Sequence, residues 1–167
     1  LFRVWAPYVE ELEIQFDTPE QHRFQLTRDA RGYHEALLEG TPAGSRYFYR
    51  FPGGDLAPDP ASRYQPLGVH GPSEVVDLRF DWNDQDWQCP ALSDLVIYEL
   101  HVGTFTRAGT FSAIIEHLPD LRALGVSAVE LMPIAQFPGQ RNWGYDGVFP
   151  FAAQHTYGTP RDLQELV

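Results

Sequence analysis

The apolar residues of this chain change their spacing part-way along, and that change sets what the chain can fold into. Up to about residue 80 they recur at or near every second position: Phe2 and Val4, then Val9, Leu12, Ile14 and Phe16, then Phe24 and Leu26, then Tyr47, Tyr49 and Phe51. Successive side chains of an extended chain point to opposite faces, so this spacing marks half-buried strands. Turn residues separate the runs at Asp17-Thr18-Pro19, Asp29 to Gly32, Gly40 to Gly44 and Pro52-Gly53-Gly54-Asp55. Short strands punctuated in this way predict an all-β, immunoglobulin-like sandwich. Residues 56–75, rich in Pro and Gly, read as a long irregular segment ordered by a neighbouring domain. Residues 81–90 read as a linker packed by its own Trp82 and Trp87.

From about Leu92 the pattern differs. Leu95 to Leu100 is a continuous apolar run broken only by Glu99, as expected of a strand buried on both faces. A loop, His101 to Thr110, follows. Phe111, Ile114, Ile115, Leu118, Leu121 and Leu124 then recur at three- and four-residue steps, the mark of an amphipathic helix, with Gly125 placed to end it. Pro119 should kink or divide that helix, because proline inside a helix costs about 3 kcal/mol. A second apolar strand, Val126 to Leu131, precedes a long aromatic loop. Thr159-Pro160-Arg161-Asp162 then carries the cap, first-turn proline and acidic third residue of a new helix. Strand-helix-strand-helix order predicts parallel strands joined by a right-handed crossover. The expected division is therefore 1–90, a β-domain with its linker, and 91–167, the start of an α/β domain. The chain opens on an alternating strand without an initiator Met and closes inside a helix, so the expectation is a part of a longer protein.

Composition narrows the function classes. Twelve Lys and Arg against 23 Asp and Glu leave a net charge of −11, without a basic cluster to neutralise phosphates. Nucleic acid and anionic membrane are therefore not expected partners. No apolar run approaches the ~18 residues of a membrane span, and no signal-peptide pattern is present, so a soluble, cytoplasmic protein is expected. Cys89 is the only cysteine and the six histidines show no tight ligand spacing. No disulfide, metal or cofactor is expected.

Loops leaving the C-terminal ends of parallel strands build the active sites of α/β folds. Two qualify here, His101–Thr110 and Met132–Gly158, and the second far exceeds the about 2 to 6 residues of an ordinary strand-to-helix connection. It holds Asn142-Trp143-Gly144-Tyr145-Asp146-Gly147-Val148. Flat aromatic faces suit the apolar faces of sugar rings, while amides and carboxylates suit their hydroxyls. Tyr145, Asp146, Trp143, Asn142 and His101 are the candidate substrate-binding residues. Each has a plainer alternative: Trp143 in the core with Tyr145 alone facing the cleft, Asp146 and Asn142 capping the loop's own amides, and His101 as a satisfied structural histidine. Glu99 can orient His101 or a loop, and His155 and Tyr157 pack or bind at the loop's edge.

These residues resemble the α-amylase superfamily of glycoside hydrolases. Phe2-Arg3-Val4-Trp5-Ala6-Pro7 is similar to the start of the sandwich module of its branching and debranching members. Tyr98-Glu99-Leu100-His101-Val102-Gly103-Thr104-Phe105-Thr106 is similar to their first barrel strand and loop, and Leu124-Gly125-Val126 with Val129-Glu130-Leu131-Met132-Pro133 to the second. Pro58-Asp59-Pro60-Ala61-Ser62-Arg63-Tyr64-Gln65-Pro66, Gly68-Val69-His70-Gly71-Pro72-Ser73 and the Asn142–Val148 motif resemble the superfamily's trehalose-releasing members. Branching enzymes usually carry another residue where this chain has Asp146. The resemblance implies a sandwich followed by the first β/α units of a (β/α)8 TIM barrel, here truncated. It implies a retaining hydrolase that cleaves the α-1,4 bond beside the trehalose end of maltooligosyl trehalose, an α-glucan substrate. It implies an Asp nucleophile, a Glu acid/base and a second Asp on later barrel strands, so no catalytic residue is expected before Val167 and the chain alone should be inactive. Tyr145 matches the tyrosine that stacks on the sugar at the cleavage subsite. A branching enzyme, or a sandwich that binds glucan or braces the barrel without catalysis, are the alternatives.

Overall fold

The computed structural model describes residues 1–167. Strands β1 (Phe2–Trp5), β2 (Glu13–Phe16), β3 (Arg23–Gln25), β4 (Thr27–Arg28), β5 (Tyr33–Ala36), β6 (Arg46–Arg50), β7 (Leu56–Ala57) and β8 (Ser73–Glu74) form two antiparallel sheets. One has the order β1-β5-β4, with Phe2 opposite Ala36 and Trp5 opposite Tyr33. The other runs β3-β2-β6-β7, and β8 also pairs with β6. The two-residue period turns Phe2 and Val4 inward from one sheet and Ile14, Tyr47 and Tyr49 inward from the other. With Leu12 and Leu26 they share one buried core, in which Phe2 meets Tyr47 edge-on at 4.9 Å. Each such side chain contributes about 1.5–3 kcal/mol on leaving water.

The 56–75 segment, expected to be irregular, carries two short strands. It leaves β6 at β7 and returns to it at β8, and its buried Asp59 is stitched to the same strand. Tyr47 donates its hydroxyl to Asp59 Oδ2 at 2.7 Å, Tyr49 does so at 3.4 Å, and the Ala61 amide donates to Oδ1 at 2.8 Å. A buried carboxylate must be satisfied locally, and the inward tyrosines of β6 do this. Burial, and then the adjacent Asp59 charge, push both phenols far above their ordinary value. The linker also departs from expectation. Trp82 packs on Phe80 at 4.6 Å, but Trp87 is 68% exposed. The last helix fastens the residues just before this stretch: Arg161 lies 4.3 Å over Phe80, and Gln164 donates to the Leu78 carbonyl.

The second half follows the strand-helix-strand order. A 3-10 turn at Leu92–Asp94 leads into β9 (Ile97–Leu100). Then come α1 (Val102–Phe105), α2 (Phe111–Ile115), α3 (Leu118–Leu124) and β10 (Ala128–Leu131). β9 and β10 are parallel, with Ile97 opposite Ala128 and Leu100 opposite Leu131. Proline divides the helix: α2 ends at Ile115, and Pro119 falls in the first turn of α3, where its missing N–H is harmless. Gly125 ends α3 in the left-handed conformation at φ +99°.

Three expectations are corrected here. The His101–Thr110 loop contains α1, and Thr110 caps α2 by accepting from the Ala113 amide. The 132–158 loop contains an antiparallel pair, β11 (Ala135–Gln136) and β12 (Phe149–Ala153), and a 3-10 turn at His155–Tyr157. β9 is not buried on both faces: Ile97, Tyr98 and Glu99 are exposed and only Leu100 is buried, because β10 is its single strand neighbour here. Leu100 joins Val102, Phe111, Ile114, Phe137 and Tyr157 in a second core. α4 (Pro160–Leu166) opens with the expected capping box between Thr159 and Asp162, and Ser112 of α2 donates to Asp162 at 3.2 Å.

Candidate substrate cleft

Because β9 and β10 are parallel, His101 and Met132, the first residues past each strand, emerge at the same end of the pair. The aromatic loop folds back over that end and closes a cleft of ≈690 Å³. His101 and Thr104 line it from the β9 side, Met132 from the β10 side, and Arg141, Asn142 and Trp143 from the loop. Tyr145 and Asp146 stand on the same loop just beyond the wall.

The loop's shape is fixed at Gly144. Its φ is +103°, and a Cβ there would sit 3.0 Å from the Pro133 carbonyl carbon and closer still to its oxygen. The loop thus crosses the strand end by bare backbone contact. Asn142 holds the crossing together: its Oδ1 accepts from the Gly144 amide at 2.7 Å, and its Nδ2 donates to Asp146 Oδ2 at 2.8 Å. Of the two sequence alternatives for Asp146, capping of backbone amides is not what occurs; it bonds the Asn142 side chain, and its Oδ1 makes no hydrogen bond within the chain. Asn142 is the residue that caps the loop. Trp143 is 77% exposed and Tyr145 69%, which overturns the alternative that buries Trp143. Neither ring is needed by the core.

His101 lines the cleft, but its ring nitrogens are occupied by the protein. Nε2 lies 2.6 Å from the Asn142 carbonyl and 3.3 Å from the Tyr157 hydroxyl, and Nδ1 lies 3.2 Å from Thr104 Oγ1. A carbonyl only accepts, so Nε2 carries the proton that bonds Asn142. Glu99 is not among the partners of His101; it lies exposed on β9. Tyr157 is buried edge-on against Phe111 and Phe137, and burial raises its phenol. His155 is bound rather than free: its Nδ1 donates to Gln136 Oε1 at 3.0 Å, and burial lowers its tendency to protonate.

Two residues that position the cleft escape sequence reasoning. Gln136 and Gln154 are fully buried. Gln154 accepts from the Phe137 amide at 3.1 Å and donates to the Gly139 carbonyl and Thr156 Oγ1, both at 3.0 Å. Gln136 donates to the Phe137 carbonyl and accepts from the His155 amide. Their side-chain amides stand in for backbone at the root of the 137–142 arm. The only sequence signal is an amide set against the apolar stretches Ile134-Ala135 and Phe151-Ala152-Ala153. No group of three or more His, Cys, Asp or Glu is arranged to hold a metal ion, and no helix is long and apolar enough to cross a membrane.

Two antiparallel sheets, followed by a parallel β-α-β unit whose strand ends carry an aromatic loop, is an arrangement shared with α-amylase-family enzymes. The chain superposes on a putative α-amylase from Salmonella typhimurium with a TM-score of 0.93 and 38% identity, covering 99% of this chain and 28% of that one. On the pullulanase of Bacillus acidopullulyticus the values are 0.81 and 25%, covering 26% of that chain. In sequence the chain matches malto-oligosyltrehalose trehalohydrolase over 99% of its length. It is 46% identical to that of Saccharolobus solfataricus over 166 residues and 44% identical to that of Deinococcus radiodurans over 167. A 1,4-α-glucan branching enzyme of Nitrosomonas eutropha matches at 32%. The chain spans 29% and 27% of the length of the first two relatives. No protein-family model matches it.

Proposed function

We propose that this chain is the sandwich and the opening β/α units of a (β/α)8 barrel in a cytoplasmic glycoside hydrolase that releases trehalose from maltooligosyl trehalose. In this reading residues 1–90 form the immunoglobulin-like domain and its linker, and residues 91–167 begin the catalytic barrel. Tyr145 and Trp143 stack on glucosyl rings, and Asp146 accepts sugar hydroxyls through its free oxygen. Asn142 and His101 hold that surface in place. The observation that carries the proposal is the exposure of both Trp143 and Tyr145 beside a cleft at the strand ends. Two large rings kept out of the core, on a loop locked by backbone contact, suit a flat ligand with apolar faces and many hydroxyls. The catalytic carboxylates of a retaining mechanism belong to later strands, so residues 1–167 alone hydrolyse nothing.

For residues 1–90 the bracing role is favoured over independent glucan binding. Trp5 donates its indole N–H to the Arg31 carbonyl, and Tyr33 is faced by the guanidinium groups of Arg3 at 4.2 Å and Arg31 at 5.7 Å. Of Trp5, Tyr8 and Tyr33, that leaves Tyr8 as the one exposed ring without such a partner, not a platform. The test of the main proposal is a product analysis of the full-length protein on maltooligosyl trehalose. Trehalose in the chromatogram supports it, and branched glucan from an α-1,4-glucan moves the protein to the branching enzymes. Retention of 1–90 on starch that is lost in Tyr8→Ala would restore the binding module.

A further inference from the structure

We infer that His101 is a positioning residue for the substrate-binding loop, acting through the Asn142 backbone carbonyl on Asp146 and the two exposed rings; this rests on the glucan-binding reading above. The path is short and continuous. His101 Nε2–H donates to Asn142 O at 2.6 Å. The Asn142 side chain then fixes Gly144 through Oδ1 and Asp146 through Nδ2, at 2.7 and 2.8 Å. One imidazole N–H therefore sets the root from which Trp143, Tyr145 and Asp146 are displayed.

The ring itself cannot wander. Gly103 packs so closely on it that an added Cβ would lie 3.1 Å from His101 Cε1 and 3.0 Å from Tyr157 Cε1. Tyr157 stands edge-on to the imidazole at 6.0 Å and is itself embedded in the second core against Phe111 and Phe137. The rigid interior thus orients His101, and His101 orients the loop. With the proton on Nε2, Nδ1 is an acceptor, and the Thr104 hydroxyl donates to it at 3.2 Å. With both nitrogens engaged inside the protein, the imidazole has no donor left for a sugar hydroxyl.

The experiment uses the full-length protein with His101→Ala and His101→Gln. Glutamine can place an N–H near the position of Nε2, and alanine cannot. On maltooligosyl trehalose, His101→Ala is expected to lower kcat/KM by about tenfold or more, with KM raised, while His101→Gln stays within about twofold of wild type. Equal losses in both variants would overturn the inference, because the ring would then matter for something other than this donor. A wild-type value in His101→Ala would overturn it as well. Amide exchange provides a readout independent of substrate: the Gly144 amide should exchange faster in His101→Ala and normally in His101→Gln. Should the wild-type protein leave maltooligosyl trehalose intact, the functional reading fails and the exchange comparison alone decides the positioning role. Unchanged exchange at Gly144 in His101→Ala would refute it.

Discussion

Gly144→Ala separates the shape of the aromatic loop from the stability of the fold. Two costs arise. At φ +103° an alanine bears backbone strain of about 1–2 kcal/mol. Its Cβ would also sit 3.0 Å from the Pro133 carbonyl carbon and nearer its oxygen, where carbon contacts relax at about 3.5–4.0 Å. Pro133 follows directly on Met132 at the β10 end, so the loop must give way, by about 1 Å. That shift carries Trp143 and Tyr145, and a misplacement of this size at a reacting centre lowers the rate on the order of 100-fold. Gly125→Ala is the control. It has almost the same dihedral, φ +99°, with nothing within 4 Å of the added carbon, and it lies at the end of α3 away from the cleft. Both variants should lose stability in urea, Gly144→Ala the more because it bears both costs, but only Gly144→Ala should lose kcat/KM on maltooligosyl trehalose in the full-length protein. Matching activity losses in the two, or full activity in Gly144→Ala, would refute the argument that backbone contact at Pro133 sets the geometry of the site.

Other outcomes follow from the same structure. Tyr145→Ala should leave the melting temperature almost unchanged, because the ring is exposed and surface changes stay within about 0.5 kcal/mol, while turnover falls; normal turnover would make Tyr145 a bystander. Tyr47→Phe removes the 2.7 Å hydrogen bond to buried Asp59 and should cost about 1.5–3 kcal/mol in denaturant unfolding, with catalysis unaffected. Asp162→Ala removes the capping box and should cost about 1 kcal/mol near neutral pH. Hydrogen bonds from the Thr159 amide, the Thr159 hydroxyl and the Ser112 hydroxyl hold the Asp162 carboxyl below its ordinary value of 3.8. Its contribution is therefore present above 3.8 and lost as pH falls through the lower folded value, so the gap between wild type and Asp162→Ala should close on acidification. A gap that persists in strong acid would remove the carboxylate from the explanation.

How much of this was legible in the sequence depended on whether a signal was local. Period-two runs placed Ile14, Tyr47 and Tyr49 in one core. Pro119, Gly125 and the Thr159 cap marked helix boundaries that the structure contains, because proline, glycine and capping residues act within one turn. The aromatic motif was visible as composition. Tertiary pairing was not. β5 carries only Tyr33, His34 and Ala36 around Glu35 and gives no alternation to read, yet it is the central strand of its sheet. The β11–β12 pair was hidden inside an apparent loop because β11 is two residues long and exists only through its partner. The apolar run by itself predicts burial on both faces, but burial depends on neighbours rather than on residue type, and β9 has one. Gln136, Gln154 and Asp59 were invisible for a similar reason: a buried polar side chain is specified by the backbone groups and hydroxyls around it, which adjoin only after folding.

The central claim is that the Asn142–Asp146 loop at the end of β9 and β10 holds an α-glucan. The direct measurement is a crystal structure of the full-length protein with a maltooligosaccharide bound. The account predicts a glucosyl ring within about 4 Å of the Tyr145 ring face, with a sugar hydroxyl on Asp146. A saccharide seated elsewhere, with this loop unoccupied and unmoved, would contradict it.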